Sequence, residues 1–196
     1  MDFRHADSLE LTPDLRSILV DLQKSDQEAE RIATALSDAQ ANWQPRETAW
    51  SIAQCLDHLG RANKVYAQAL HQAVRETRVA KKPQSRPIQP GWFGRYFIRS
   101  LEPPPKRKLP APKKIVPVSR ISCHEALDEF LGSHEDVRAV IRDAAGLDLN
   151  RIGFHNPFIG VLRFTVGTGL LIIAAHDRRH LWQAERVLEC PGFPKS

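Results

Sequence analysis

The chain has 196 residues, 42% hydrophobic and 26% charged, with a net charge of +5. That length buries a full core in one domain, 1–196, without staples, and the composition excludes a disordered or fibrous chain. The longest apolar stretch, 161–175, is interrupted by Arg163, Thr165, Gly167, Thr168 and Gly169, which excludes a membrane span.

The first helical pattern covers about 12–39. Thr12 suits the N-cap and Pro13 the first helical position. Leu15, Ile18, Leu19, Leu22, Ile32 and Leu36 share a face, with a polar gap over residues 24–28. A loop broken by Pro45 follows. The second helix opens at Ser51, where Ser51 and Gln54 have capping-box spacing, and fades near Val79. Residues 80–118 form a long connection whose nine prolines forbid a continuous helix. Within it, residues 91–98 carry four aromatics, and this piece is expected to dock on the body as a short helix. Pro103-Pro104-Pro105 is expected to run extended. The third helix starts at Ser122, with Glu125 at capping-box spacing, and stops at Gly146; the fourth covers about 165–190 and stops at Pro191-Gly192. No repeat and no strand pair is evident. The expected fold is all-α, a four-helix bundle with a long crossover connection between helices two and three.

The positive charge belongs to one segment. Residues 75–114 hold 12 Lys/Arg and 2 Asp/Glu, a local charge of +10, and the remainder of the chain is −5. The segment lacks regular aromatic interleaving and any recognised nucleic-acid motif. It reads as a solvated, proline-rich connection, and nucleic acid is not an expected partner. Its Trp92, Phe93, Tyr96 and Phe97 are candidates to cover either this bundle or a second copy, so a homodimer is expected.

Three cysteines, Cys55, Cys123 and Cys190, show no CxxC spacing. Their odd number and the absence of a basic-then-apolar start read as reduced thiols in a cytoplasmic protein. Cys55 is expected to be a buried structural residue.

The chemistry concentrates in three histidines. His176 and His180 stand at i and i+4, so both imidazoles reach one spot on one helix face. His58 lies beside the apolar stripe of the second helix. Imidazoles on an inward face need partners. A divalent transition metal with an open coordination position is one such partner, and hydrogen-bonded core histidines are the other reading. His134 sits on the stripe of the third helix and is expected to be a hydrogen-bonded core or boundary histidine. His5, His71, His124 and His155 carry no assigned chemistry. Asp57 and Asp177 each adjoin a candidate ligand, but neighbouring helix positions point roughly 100° apart, so both are expected to face solvent or cap neighbours. HExxH, GxSxG, Walker and dinucleotide patterns are absent.

Taken together, Trp43-Gln44-Pro45, Trp50-Ser51-Ile52, His58-Leu59, Asn156-Pro157-Phe158-Ile159-Gly160 and Ala175-His176-Asp177-Arg178-Arg179-His180-Leu181-Trp182-Gln183 resemble the DinB/YfiT-like superfamily. The resemblance covers nearly the whole chain. It implies a four-helix bundle with a metal held by three histidines, and the matching positions are His58, His176 and His180. The family includes thiol-dependent S-transferases and isomerases and metal-dependent hydrolases. The leading expectation is therefore a Zn²⁺- or Ni²⁺-dependent enzyme acting on a small-molecule substrate, with a low-molecular-weight thiol as a candidate co-substrate. The alternative is a non-catalytic metal-binding or stress-response module.

Overall fold

The computed structural model describes residues 11–77, 86–105 and 110–195. His5, Pro83 and the expected fade of the second helix near Val79 lie outside them. Among the described residues six α-helices form: α1 (Pro13–Ala33), α2 (Asp38–Ala41), α3 (Ile52–Glu76), α4 (Trp92–Leu101), α5 (Cys123–Asp143) and α6 (Val166–Leu188). The fold is all-helical apart from one short pair of strands, β1 (Gly153–His155) and β2 (Arg163–Thr165), in antiparallel register with Phe154 opposite Phe164.

The helix starts are where the local chemistry places them. The Thr12 hydroxyl accepts from the Leu15 N–H at 3.4 Å. Ser51 and Gln54 make both legs of their box, at 3.2 and 3.1 Å. At Ser122 only the Glu125 N–H leg is present. The first helix is shorter than expected. Residues 34–37 leave the helix, and Ser37 starts α2 with its own capping box to Gln40. The proline run is not straight either: the Pro103–Pro104 peptide is cis and the chain bends there.

The long helices form a ring in which α3 packs on α5 and α6, and α1 packs on the same two from the other side. Sequence-adjacent α1 and α3 are thus diagonal, which puts His58 of α3 beside α6. The connection between α3 and α5 carries α4 and a short 3-10 turn, Lys113–Ile115. Helix α4 docks on the body as expected: it packs on α6, and its Phe93 and Phe97 rings lie 6.0 and 5.6 Å from that of Phe164 in β2. Just beyond α4, Glu102 pairs with Arg178 of α6 at 2.6 Å.

The core has two apolar clusters. Leu15, Ile18, Leu22, Leu70, Val137, Ile141, Leu170 and Ile173 belong to one, and Ile32, Ile52, Leu56, Leu59, Phe130, Leu181 and Val187 to the other. Between them, the long helices bring together a polar layer of Asp26 from α1, Asn63 from α3, His134 from α5 and Asp177 from α6, with Arg138 of α5 also paired with Asp26. Within the polar gap at residues 24–28 of the first helix, Ser25 and Asp26 turn toward this layer, while Lys24 and Gln27 are exposed.

Candidate metal centre

The Ser51 cap fixes the first turn of α3, and His58 follows two turns later with its ring turned toward α6. Three side chains of that half-helix hold the returning connection. The Gln54 amide donates to the Val118 carbonyl at 3.2 Å, and Asp57 accepts from the Val118 N–H at 2.9 Å. The third, His58, donates from Nδ1 to the Ile115 carbonyl at 2.6 Å. A carbonyl only accepts, so His58 carries its proton on Nδ1 and presents the Nε2 lone pair to the site.

His58 Nε2 lies 3.3 Å from His176 Nε2. Two ligands at about 2.0–2.1 Å from a tetrahedral zinc stand about 3.3–3.4 Å apart, so this spacing suits a shared cation. His180 completes the group: one ring nitrogen from each of the three histidines lies within 4.8 Å of the others. The His180 Nδ1 proton is held by Gln183 Oε1 at 3.1 Å, one turn further along α6, which again frees Nε2. Trp50 closes the outer side, its ring 4.7 Å from that of His58 and stacked at 5.5 Å on that of His180.

All three imidazoles are held neutral. Burial lowers the pKa of His58, against a partial rise from the Ile115 carbonyl and Asp57. Burial, then the charges of His58 and Arg179, push His176 well below its ordinary value. Burial pushes His180 down in the same way, with His176, His58 and Arg179 adding to it. Neutral imidazole is the form that ligates a metal.

His134 is the core histidine expected of it. It is fully buried, with Nδ1 at 2.5 Å from Asp26 and Nε2 at 3.1 Å from Asp177. The two aspartates beside the ligands do not face solvent. Asp177 is fully buried and also accepts from the Asn63 amide at 2.9 Å. Asp57 is 3% exposed, pairs with Arg61 and caps the Val118 N–H. The reason is that α3 and α6 are packed on several sides, so the helix face next to the histidine row is interior too. Cys55 is fully buried, and burial pushes its thiol well above the ordinary range, as suits a structural residue.

The histidines open into a cavity of about 1040 Å³. The connection does more than span the gap: Pro105, Pro110, Pro112, Ile115 and Val116 form part of the cavity wall, while Lys113 and Lys114 are exposed. Sequence reading also missed Arg179 and the supporting role of Gln183. The i+3 spacing of Gln183 from His180 was the available signal for the latter.

This bundle with three clustered histidines belongs to a known family. A family model of the DinB superfamily matches residues 21–184, and the chain is a member of that superfamily. The match spans most of the chain and includes all three histidines. No curated protein and no solved structure gives a match. Among the described residues no helix is long and apolar enough to cross a membrane.

Proposed function

We propose that the protein is a metal-dependent enzyme in which His58, His176 and His180 hold a divalent transition metal, Zn²⁺ or Ni²⁺, at the floor of a substrate cavity. The observation that carries this is the pair of facing Nε2 atoms 3.3 Å apart, with the third imidazole beside them and the other ring nitrogen of His58 and His180 held by an acceptor. When bound, a metal with an open position supplies a Lewis acid that lowers the pKa of water or of a thiol.

The residues around it favour the thiol. No Asp or Glu among the described residues lines the cavity, and Asp177 is turned away to His134. Attack by water would have no carboxylate to take its proton. A thiol, which ionises near pH 8.5 unaided, needs far less help. We therefore propose a low-molecular-weight-thiol S-transferase, ahead of a hydrolase.

The test is metal analysis of purified protein, followed by turnover on paired panels of thiols with electrophiles and of esters and amides. Near-stoichiometric metal with thiol-dependent turnover supports the reading. Metal with ester or amide hydrolysis alone moves it to a hydrolase. Tight metal with no turnover on either panel leaves a non-catalytic metal-binding module.

A further inference from the structure

Two uncharged side chains of α3, Asn63 and Tyr66, line the cavity above the histidines and play no part in the candidate metal centre. Both are buried, at 1% and 5% exposure. They stand at i and i+3, so they are neighbours on the helix surface. At a rise of 1.5 Å per residue they lie about 8 and 12 Å along α3 from His58. Phe97, Leu101, Phe158, Ile172 and Ile173 supply apolar wall of the same cavity. A few fixed polar groups in an apolar cavity set how a ligand is oriented in it.

Hydrogen-bond partners fix what each of the two offers. Asn156 Oδ1 accepts from the backbone N–H groups of Phe158 and Ile159, both at 2.9 Å. The amide nitrogen of Asn156 therefore lies on the other side, and it donates to the Tyr66 hydroxyl at 2.6 Å. The Tyr66 oxygen is thus an acceptor in that bond, and its own proton is left to give. No described residue takes it. Burial pushes the phenol pKa up, against the bond from Asn156, so the proton stays on the oxygen. Asn63 is fixed from its other end. Its Nδ2 donates to Asp177 Oδ1 at 2.9 Å, so its Oδ1 is turned from Asp177, and no described residue donates to that oxygen. No fully enclosed side-chain atom among the described residues lacks a partner, so the Asn63 oxygen is open to the cavity it lines. Helix α3 thus shows the cavity one donor and one acceptor side by side, neither of them charged.

We propose that Asn63 and Tyr66 are a recognition pair for a neutral amide edge on the substrate. A carbonyl oxygen of the ligand accepts from the Tyr66 hydroxyl, and an adjacent N–H donates to Asn63 Oδ1. Primary carboxamides and lactams present these two groups on one edge. An ester or ketone lacks the N–H, and a carboxylate sets a second acceptor against the Asn63 oxygen. A site built from buried polar groups rejects an analogue that leaves one of them unpaired. The inference rests on reading this cavity as the substrate site, as proposed above, but not on the metal. It defines the substrate class: an apolar compound that carries an uncharged primary carboxamide or lactam.

The test uses the full chain and three probes with one body: 4-butylbenzamide, 4-butylacetophenone and 4-butylbenzoate. The ketone has a methyl group in place of the amide NH2, and the benzoate has an anionic oxygen there. Each is titrated calorimetrically near neutral pH into wild type, Tyr66→Phe and Asn63→Leu, before and after chelator treatment. Helical content is measured on the same samples. Wild type is expected to bind the amide about tenfold more tightly than the ketone or the benzoate. Asn63→Leu is expected to lose the preference over the ketone and to keep its affinity for the ketone. Tyr66→Phe keeps the ring packed against Phe154 and Phe158 and is expected to weaken amide and ketone alike, about tenfold each, because both use the carbonyl. The amide preference is expected to be the same with and without metal. Equal affinity of wild type for amide and ketone overturns the proposal, as does a benzoate bound more tightly than the amide. No binding of any probe, unchanged affinities in Tyr66→Phe, or a preference that appears only with metal also overturns it. If Asn63→Leu does not fold, the wild-type ratios and the Tyr66→Phe titration decide. Metal stoichiometry and turnover judge the metal-dependent reaction separately, because the amide preference is expected in chelator-treated protein as well.

Discussion

His176 and His180 are useful because of what stands behind them. Each carries only weak information alone, since HxxxH arises often on helices. In the structure they gain a third imidazole from α3, and two of the three rings are oriented by an acceptor on the far nitrogen. Replacing His176 by Ala is expected to abolish metal binding and leave helical content unchanged, because the two apolar clusters do not depend on that ring. His71→Ala, which removes a partly exposed pair with Asp143 at 3.0 Å, is expected to keep full metal and lose less than about 1 kcal/mol. Gln183→Leu is expected to weaken the metal about 10–100-fold, the usual effect of removing a group that orients a ligand. Isothermal titration of the apoprotein with Zn²⁺ measures all three, and unchanged affinity in Gln183→Leu would show that the His180 ring is oriented by something else. The clustering of the three histidines was legible because i, i+4 spacing and a capped helix start are local signals, and because the family resemblance joined His58 to the pair on α6. The burial of Asp57 and Asp177 was not, because it depends on how many neighbours a helix has.

At the scale of the element, caps were readable and close approaches were not. Thr12, Ser51 and Ser122 each start a helix where a short polar side chain meets an apolar run. The Ser37 box that ends the first helical pattern early was hidden inside that pattern's apparent continuation to Leu36. Strands of three residues, paired across a loop, leave too few positions for a period of two to show. Gly169 is a similar case. Its sequence context says only that an apolar run is interrupted. In the structure a Cβ there would lie 2.7 Å from Leu70 and 2.8 Å from the Phe154 ring, both buried, so α6 passes the β1 strand at a distance only glycine allows. Gly169→Ala is expected to destabilise the protein by about 1–3 kcal/mol through overpacking, in spite of a helix-propensity gain of about 1 kcal/mol. Urea denaturation measures the net change, and a stabilised variant would mean that Leu70 and Phe154 repack freely.

At the scale of the molecule, the all-helical bundle followed from periodicity, but the division of its core did not. Asp26, Asn63, His134 and Asp177 lie in separate helices, and only the assembled bundle makes them one layer between two apolar clusters. Removing His134 would leave the fully buried Asp177 without its charged partner, a situation that costs about 3–5 kcal/mol at buried ion pairs, while Asp26 would keep Arg138. The layer and the candidate metal centre also place buried histidines in opposite electrostatic surroundings. Burial opposes charge on His134, but Asp177 and Asp26 outweigh it and raise its pKa to about 9. Its folded value lies above the unfolded value of about 6.5, so its contribution to stability is complete below pH 6.5 and is lost as the pH rises through about 9. His58, His176 and His180 are shifted downward. The unfolded chain takes up protons at these positions before the folded one does, so their contribution is present above about pH 6.5 and is lost as the pH falls toward their lower folded values. For these histidines the metal-free protein is expected to be most stable near pH 6.5, with one family of groups responsible for each limb. Thermal unfolding of chelator-treated protein from pH 4 to pH 10 measures this. His134→Gln is expected to flatten the alkaline limb between pH 6.5 and 9 relative to wild type. His176→Ala is expected to flatten part of the acid limb and leave the alkaline one alone. Parallel wild-type and His134→Gln profiles above pH 6.5 would show that the buried layer does not hold its histidine charged.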